Sequence, residues 1–149
     1  MSTKGLYQLH FDGVQVVDLE FKTLGGELHK DSPVQFKIRP KVLYDKEDKT
    51  LFTLIMTATI FGEDIFSLSF IATGIFRFAN ANLDPEVRKK LVDSSAPAIM
   101  FPYLRSFVTT FTAAIASLPK PLVIPPQFFQ SEIPEVFAED ETESFESPE

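Results

Sequence analysis

The chain has 149 residues, contains no cysteine and carries a formal net charge of −7 at pH 7. This length suits a single domain that buries its own core, and the lack of cysteine excludes disulfides and thiolate catalysis. No stretch approaches the roughly 20 apolar residues that a membrane span needs, and no apolar run of a signal peptide follows the first residues. We therefore expect a cytoplasmic protein without membrane insertion.

The negative charge belongs to the end of the chain. Residues 130–149 hold eight of the 21 acidic residues and none of the 14 basic residues, so the rest of the chain is close to neutral. This composition predicts one domain over residues 1–129 and an acidic, disordered tail over residues 130–149. The domain has no basic stripe with interleaved aromatic residues, which disfavours nucleic-acid binding.

Phenylalanine dominates the aromatic residues, with 16 in the chain against three tyrosines and no tryptophan. A phenyl ring is a large apolar group without a polar atom. This content suits a large core, an interface between subunits or a surface that binds apolar segments.

Four successive segments have the alternation or the β-branched and aromatic content of strands. The segments are residues 14–24, 33–44, 51–61 and 65–78. A change of phase after Val16 predicts a bulge, Pro40 indicates an edge strand, and the tight connection at Gly62 makes the last two segments a hairpin. Four strands in a row predict an antiparallel sheet.

The pattern then becomes helical. Asp84 is a suitable N-cap, and the proline after it suits the first turn of a short helix that ends near Ser94. We expect Pro97 to interrupt the helical structure and Pro102 to begin the main helix. A last short helix is predicted around residues 128–133. The expected fold class is therefore α+β, with a four-stranded antiparallel sheet followed by two or three helices in two layers.

The main helix is predicted to run from Pro102 to about Leu118 on one apolar stripe. Its opposite face carries small neutral side chains, and Arg105 is its only charged residue. The alternative is that the helix is buried inside a monomer, but in a two-layer monomer no further layer would cover this outer face. We therefore predict an oligomer, with an interface formed by Tyr103, Ser106, Thr109, Thr110, Ala113 and Ser117.

No arrangement of residues indicates catalysis. His10 and His29 are the only histidines, and neither has the spacing of a metal site. The sequence has neither a Gly-x-Ser-x-Gly elbow nor a glycine-rich loop before a helix that could hold phosphate. Asp45, Glu47 and Asp48 alternate with lysines and indicate a solvated turn. We predict no enzyme, no metal and no cofactor, although a single carboxylate in an apolar pocket could act as a base.

One segment resembles the signature of the SecB protein-export chaperone family, in which a proline and a short apolar run precede Phe-Pro-Tyr-x-Arg. Here the segment is residues 96–105, which end in Phe101-Pro102-Tyr103-Leu104-Arg105. A later Pro-x-x-Phe pattern is similar to residues 125–128, and residues 17–21 and 74–76 resemble parts of the family's first and fourth strands. The resemblance extends over about residues 14–129.

The resemblance implies a homotetramer, a dimer of dimers joined through the long helices. It also implies that the protein holds unfolded, secretion-bound polypeptides without ATP. Clients of the family lie in apolar grooves near the sheet, the connection between the first two strands and the last helix. By position, the candidate client-binding residues are Phe66, Phe128, Ile133, Val34, Phe36 and Ile38.

Family members that pass clients to the SecA motor use acidic residues on the outer face of the sheet. Asp18 matches one such position, whereas Lys22 and Ser69 stand at the two others. An alternative to export is therefore a SecB-like protein dedicated to one partner, such as a toxin–antitoxin chaperone. A binding module for a small apolar ligand is a further alternative.

Overall fold

The computed structural model describes residues 8–26, 33–115, 118 and 120–124, and the backbone of residues 135–137. Its elements form an α+β fold in two layers, with a sheet on one side and a long helix on the other. No helix in this described part of the chain is long and apolar enough to cross a membrane.

The sheet contains four antiparallel strands in the order β1-β4-β3-β2, as the alternation of side chains predicts. The strands are β1 (Leu9–Thr23), β2 (Gln35–Tyr44), β3 (Leu51–Gly62) and β4 (Phe66–Phe78). The register of β1 against β4 shifts between Val16 and Asp18, so the predicted bulge is confirmed. A second shift surrounds Gly13, whose φ of 114° favours glycine. Pro40 lies on β2, outermost of the four strands.

A fifth strand, β5 (Glu135–Phe137), lies in the segment predicted to be an acidic tail. Its backbone pairs in parallel with residues 42–44 of β2. The other residues of the predicted tail lie outside the described part of the chain, and the domain boundary at residue 129 stays a prediction.

The prediction of two or three helices is wrong, because one helix, α1, extends over residues 85–113. It joins an α-helical segment (Pro85–Lys90), a π-helical turn (Leu91–Ser95) and a second α-helical segment (Ala96–Ala113). In the π-helical turn, the N–H of Ala96 donates to the carbonyl of Leu91, five residues earlier. This longer turn changes the hydrogen-bond register just before Pro97, which has no N–H to donate.

Pro97 thus occupies the first turn of the second segment, where a missing N–H costs little. Pro102 lies inside this segment instead of beginning it. The end of α1 also differs from the prediction, since Ala113 and not a residue near Leu118 is its last residue. The predicted helix around residues 128–133 lies outside the described residues.

Several phenylalanine rings pack in the core between the sheet and α1. The rings of Phe52 and Phe76 stack with centroids 5.3 Å apart. A Cβ on Gly74 would lie only 2.8 Å from the sulfur of Met100, so glycine lets α1 approach β4 closely. The phenylalanines that are at most 2% exposed are Phe52, Phe66, Phe70, Phe76 and Phe78.

Candidate functional site

One end of the sheet collects partly exposed apolar side chains. The last residues of β1, the first residues of β2 and the β3–β4 turn meet there, and the end of α1 packs above them. Leu24 is 52% exposed, and the other members are half-buried. We call this region the apolar end, formed by Phe21, Leu24, Val34, Phe36, Ile65 and Phe111.

Local contacts fix the shape of the apolar end. The ring centroid of Phe21 lies 6.3 Å from that of buried Phe66 and 5.8 Å from that of Phe111. The N–H of Leu24 donates to the carbonyl of Ile65 at 2.8 Å, which joins the end of β1 to the β3–β4 turn. The chain then passes so close to this turn that a Cβ on Gly26 would lie 2.5 Å from the Asp64 carbonyl oxygen. The region is therefore held by backbone and ring contacts, yet open to solvent.

The structure separates the predicted client-binding residues into three groups. Val34 and Phe36 lie half-buried at the apolar end. Ile38 and Phe66 are 7% and 1% exposed and belong to the core, so in this chain neither side chain is accessible to a client. Phe128 and Ile133 lie outside the described residues. Sequence reasoning missed Phe21, Leu24, Ile65 and Phe111 as members of this surface.

The predicted oligomer face of α1 is largely exposed. Tyr103 is 54% exposed, and Ser106, Thr110 and Ala113 are also accessible to solvent. Thr109 is half-buried because its hydroxyl donates to the carbonyl of Leu122 at 2.8 Å in the same chain. Ser117 lies outside the described residues.

Residues 121–124 run along α1 and are held by three side chains of the helix. Arg105 Nε donates to the Ile124 carbonyl at 2.9 Å, and the Thr112 hydroxyl accepts from the Leu122 N–H at 2.9 Å; Thr109 supplies the third bond. An open groove of about 310 Å³ lies beside this segment, between Pro102, Arg105, Ser106, Thr109, Thr110 and Val123. The only charged side chain in the predicted main helix is thus hydrogen-bonded within its own chain and lies beside this groove.

The opposite end of the sheet is polar. Asp48 accepts hydrogen bonds from the Thr50 hydroxyl at 2.6 Å, the Thr50 N–H at 2.9 Å and Arg77 Nη1 at 2.8 Å. The Thr50 bonds, followed by the one from Arg77, lower the pKa of the Asp48 carboxyl to about 2. The Arg88 guanidinium lies 4.5 Å from the ring centroid of Phe78 and 5.3 Å from that of Tyr44. We call this region, with Asp45, Asp48, Arg77 and Arg88, the charged end.

These polar groups form a hydrogen-bonded turn, and they do not form a recognisable catalytic arrangement. Asp45 accepts from the N–H groups of Glu47 and Asp48 at 3.0 and 2.7 Å, as in an Asx turn. His10 is exposed beside Asp12, with 2.9 Å between His10 Nε2 and Asp12 Oδ1, and His29 is outside the described residues. Within the described ranges, no three metal-ligating side chains come together.

Asp18 lies exposed on the outer face of the sheet, away from α1, opposite Ile71 of β4. Glu20 follows on the same face, directly opposite Ser69. An acidic side chain that sequence reasoning missed therefore lies beside the position where Ser69 replaces an expected acid. Lys22 is on this face too, with its Nζ 3.5 Å from Glu20.

Two solved structures are among those that match the chain. The structure of the SecB-like chaperone Rv1957 of Mycobacterium tuberculosis, in complex with a ChAD peptide from the Rv1956 HigA1 antitoxin, gives a TM-score of 0.65 at 14% identity and covers 85% of this chain and 92% of that chain. A protein of unknown function from Streptococcus agalactiae gives a TM-score of 0.48 at 11% identity, with coverage of 79% and 97%. At such low identity, the likeness to the SecB-like chaperone shows the fold alone. No curated protein matches the sequence.

The family model of preprotein translocase subunit SecB matches residues 19–131. The match covers most of the chain and contains the last part of β1, all of β2, β3, β4 and α1, and the segment held along the helix. The resemblance seen at residues 96–105 therefore extends over residues 19–131, and the chain belongs to the SecB family.

Proposed function

We propose that the protein is an ATP-independent holdase that binds unfolded or precursor polypeptides in the cytoplasm. Membership of the SecB family supports a chaperone role. The observation that carries the proposal is the apolar end, where Leu24 is 52% exposed and the other large apolar side chains are half-buried. Contiguous exposed apolar surface on a folded protein usually marks a binding site.

The physics of such a surface suits many different clients. Burial of a large apolar side chain contributes about 1.5–3 kcal/mol before the cost of ordering the client. The contribution depends on area and hardly on sequence, so any unfolded chain with spaced apolar residues can gain it. A covered client segment cannot associate with other unfolded chains, and no ATP is required for this protection.

We propose Val34 and Phe36 as client contacts, together with Phe21, Leu24 and Ile65. Phe66 and Ile38 shape the floor of this surface from the core. Phe128 and Ile133 enter the proposal through the family resemblance alone.

We propose that α1 lies at the interface of a homotetramer, a dimer of dimers. Its exposed neutral face supports this, and Val123, which is 62% exposed, extends it. Arg105 is the only charged residue between Pro102 and Leu118, and its Nε donates to the Ile124 carbonyl of its own chain. For docking to the SecA motor, Asp18 and Glu20 on the outer face are the proposed contacts.

A second candidate function is that of a chaperone dedicated to one partner protein. The similar SecB-like chaperone of Mycobacterium tuberculosis was solved with a peptide from an antitoxin. In that case the apolar end would hold a single partner segment in place of many clients.

The proposal is tested by diluting a chemically denatured client protein into buffer and following its aggregation by light scattering. We expect this protein to suppress aggregation at near-stoichiometric amounts, equally with and without ATP. Unchanged aggregation would contradict the holdase proposal. Copurification from the native cell separates the two candidates, since many unfolded precursors indicate export and one small partner indicates a dedicated role.

A further inference from the structure

The free edge of β2 is partly covered by a strand from the chain's own acidic segment. β5 pairs in parallel with residues 42–44 of β2. An edge strand presents unpaired N–H and C=O groups, and an extended polypeptide can add to such an edge through main-chain hydrogen bonds. β5 uses the β2 edge in this way within one molecule.

The pairing covers only the last part of β2. Among the residues that the structure describes, residues 35–41 of β2 have no strand partner on this side. This stretch, which contains Phe36, begins at the apolar end and leads directly to β5. A client strand that starts at the apolar end and extends along β2 would therefore meet β5 at Val42.

Charge supports β5 as an occupant of this edge. Lys37, Arg39 and Lys41 alternate with buried residues of β2 and share its outer face, and residues 33–44 contain no acidic residue. The segment that supplies β5, residues 130–149, holds eight acidic residues and no basic one. Tyr44, the last residue paired with β5, also carries the Arg88 guanidinium against its ring. Basic groups thus flank the strand that receives the acidic segment.

We infer that the β2 edge is a strand-addition site for extended polypeptides and that β5 is its internal competitor. The inference rests on the proposed function for the identity of the competing ligand, an unfolded client. The pairing of β5 with β2 follows from the strand register and does not depend on the proposed function. A three-residue strand makes few hydrogen bonds, so its competition is modest. If β5 occupies the edge about 70–90% of the time, it weakens the apparent affinity of a competing strand about three- to tenfold.

The test uses the full chain with the double substitution E135P/V136P. Two consecutive prolines remove the N–H groups on both sides of β5, so the strand loses a donor toward β2 whichever residue supplies it. The matched control is E143P/S144P, which also exchanges one acidic residue and one other residue of the same segment for proline. This control leaves β5 itself intact.

Two measurements are made on the parent, on E135P/V136P and on the control E143P/S144P. Amide hydrogen exchange of residues 35–44 should be faster at residues 42–44 in E135P/V136P than in the parent and the control. A fluorescein-labelled synthetic peptide of residues 130–149 should bind E135P/V136P about three- to tenfold more tightly than it binds the parent or the control. Equal exchange and equal peptide affinity in all three proteins would overturn the inference.

The client assay keeps this inference distinct from the proposed function. If E135P/V136P suppresses client aggregation at lower concentration than the parent, β5 competes with clients as inferred. If parent and variant suppress it equally, competition with clients is overturned while the holdase function stands. If neither suppresses aggregation but the exchange and peptide results are as expected, the holdase proposal fails and β5 is supported as the internal occupant of a strand-addition site.

Discussion

The two ends of the sheet are built from the same four strands but treat their apolar side chains differently. At the charged end, Phe52, Phe76 and Phe78 are at most 1% exposed, and the Arg88 guanidinium lies over the ring of Phe78. At the apolar end, Phe21, Phe36 and Phe111 stay half-buried, and Leu24 is exposed. The difference predicts that substitutions at the charged end change stability most, whereas substitutions at the apolar end change client binding most.

The largest expected effect comes from removing a ring at the charged end. Phe76→Ala leaves a cavity between Phe11 and Phe52, whose centroids lie 4.9 and 5.3 Å from that of Phe76. We expect the free energy of unfolding to fall by about 3–5 kcal/mol. Urea unfolding followed by circular dichroism measures this. The matched substitution at the apolar end, Phe111→Ala, should cost well under half as much, and equal losses would remove the distinction between the ends.

The segment held along α1 should show the next largest effect on stability. Thr112 is 1% exposed and accepts the Leu122 N–H, so Thr112→Val leaves a buried donor without its acceptor. We expect a loss of about 1–3 kcal/mol in the free energy of unfolding. Thr110→Val on the exposed face is the control, with a change within about 0.5 kcal/mol. A similar loss in both variants would show that the Leu122 contact contributes nothing specific.

A charge at the apolar end should reduce client binding with little change in stability. Leu24→Asp removes an exposed apolar side chain and places a carboxylate where client apolar groups would be buried. We expect the affinity for an unfolded, fluorescently labelled client to fall about tenfold, which corresponds to about 1.4 kcal/mol. Ile75→Asp is the control, since Ile75 is 37% exposed on β4 but lies away from the apolar end. A similar loss of affinity in the control would locate client binding elsewhere.

The smallest effect concerns pH at the charged end. The pKa of Asp48 is lowered to about 2, so its carboxylate contributes to stability above the ordinary Asp pKa of about 3.9. This contribution is lost as the pH falls from about 4 through 2. Asp48→Asn should therefore melt slightly below the parent at pH 6, and the gap should close by pH 2. Client affinity at pH 6 should be unchanged, and a persistent gap at pH 2 would contradict the role assigned to ionised Asp48.

The sequence predicted the sheet better than the helices. Alternation in each strand, and the change of phase after Val16, follow from the two-residue period of strands and need no tertiary information. The single helix α1 was missed because Pro97 and Pro102 look like helix boundaries. Only the π-helical turn before Pro97 makes its missing N–H acceptable. β5 was missed because three residues in an acidic segment carry no strand pattern.

The candidate site was predicted only in part. Val34 and Phe36, which the family resemblance names by position, lie half-buried at the apolar end. The resemblance also names Ile38 and Phe66, which are buried here, because a position in a family pattern does not tell how far along a strand α1 covers its inner face. Phe21, Ile65 and Phe111 come from three different elements, and only the strand register and the direction of α1 bring them together.

The central claim, that clients bind at the apolar end, is tested most directly by site-specific photo-crosslinking. A benzophenone amino acid is placed at Leu24 in one protein and at exposed Lys46 of the charged end in another, and each is illuminated with a denatured client. We predict a client adduct from position 24 and none above background from position 46. Equal adducts from both positions, or an adduct from position 46 alone, would contradict the account.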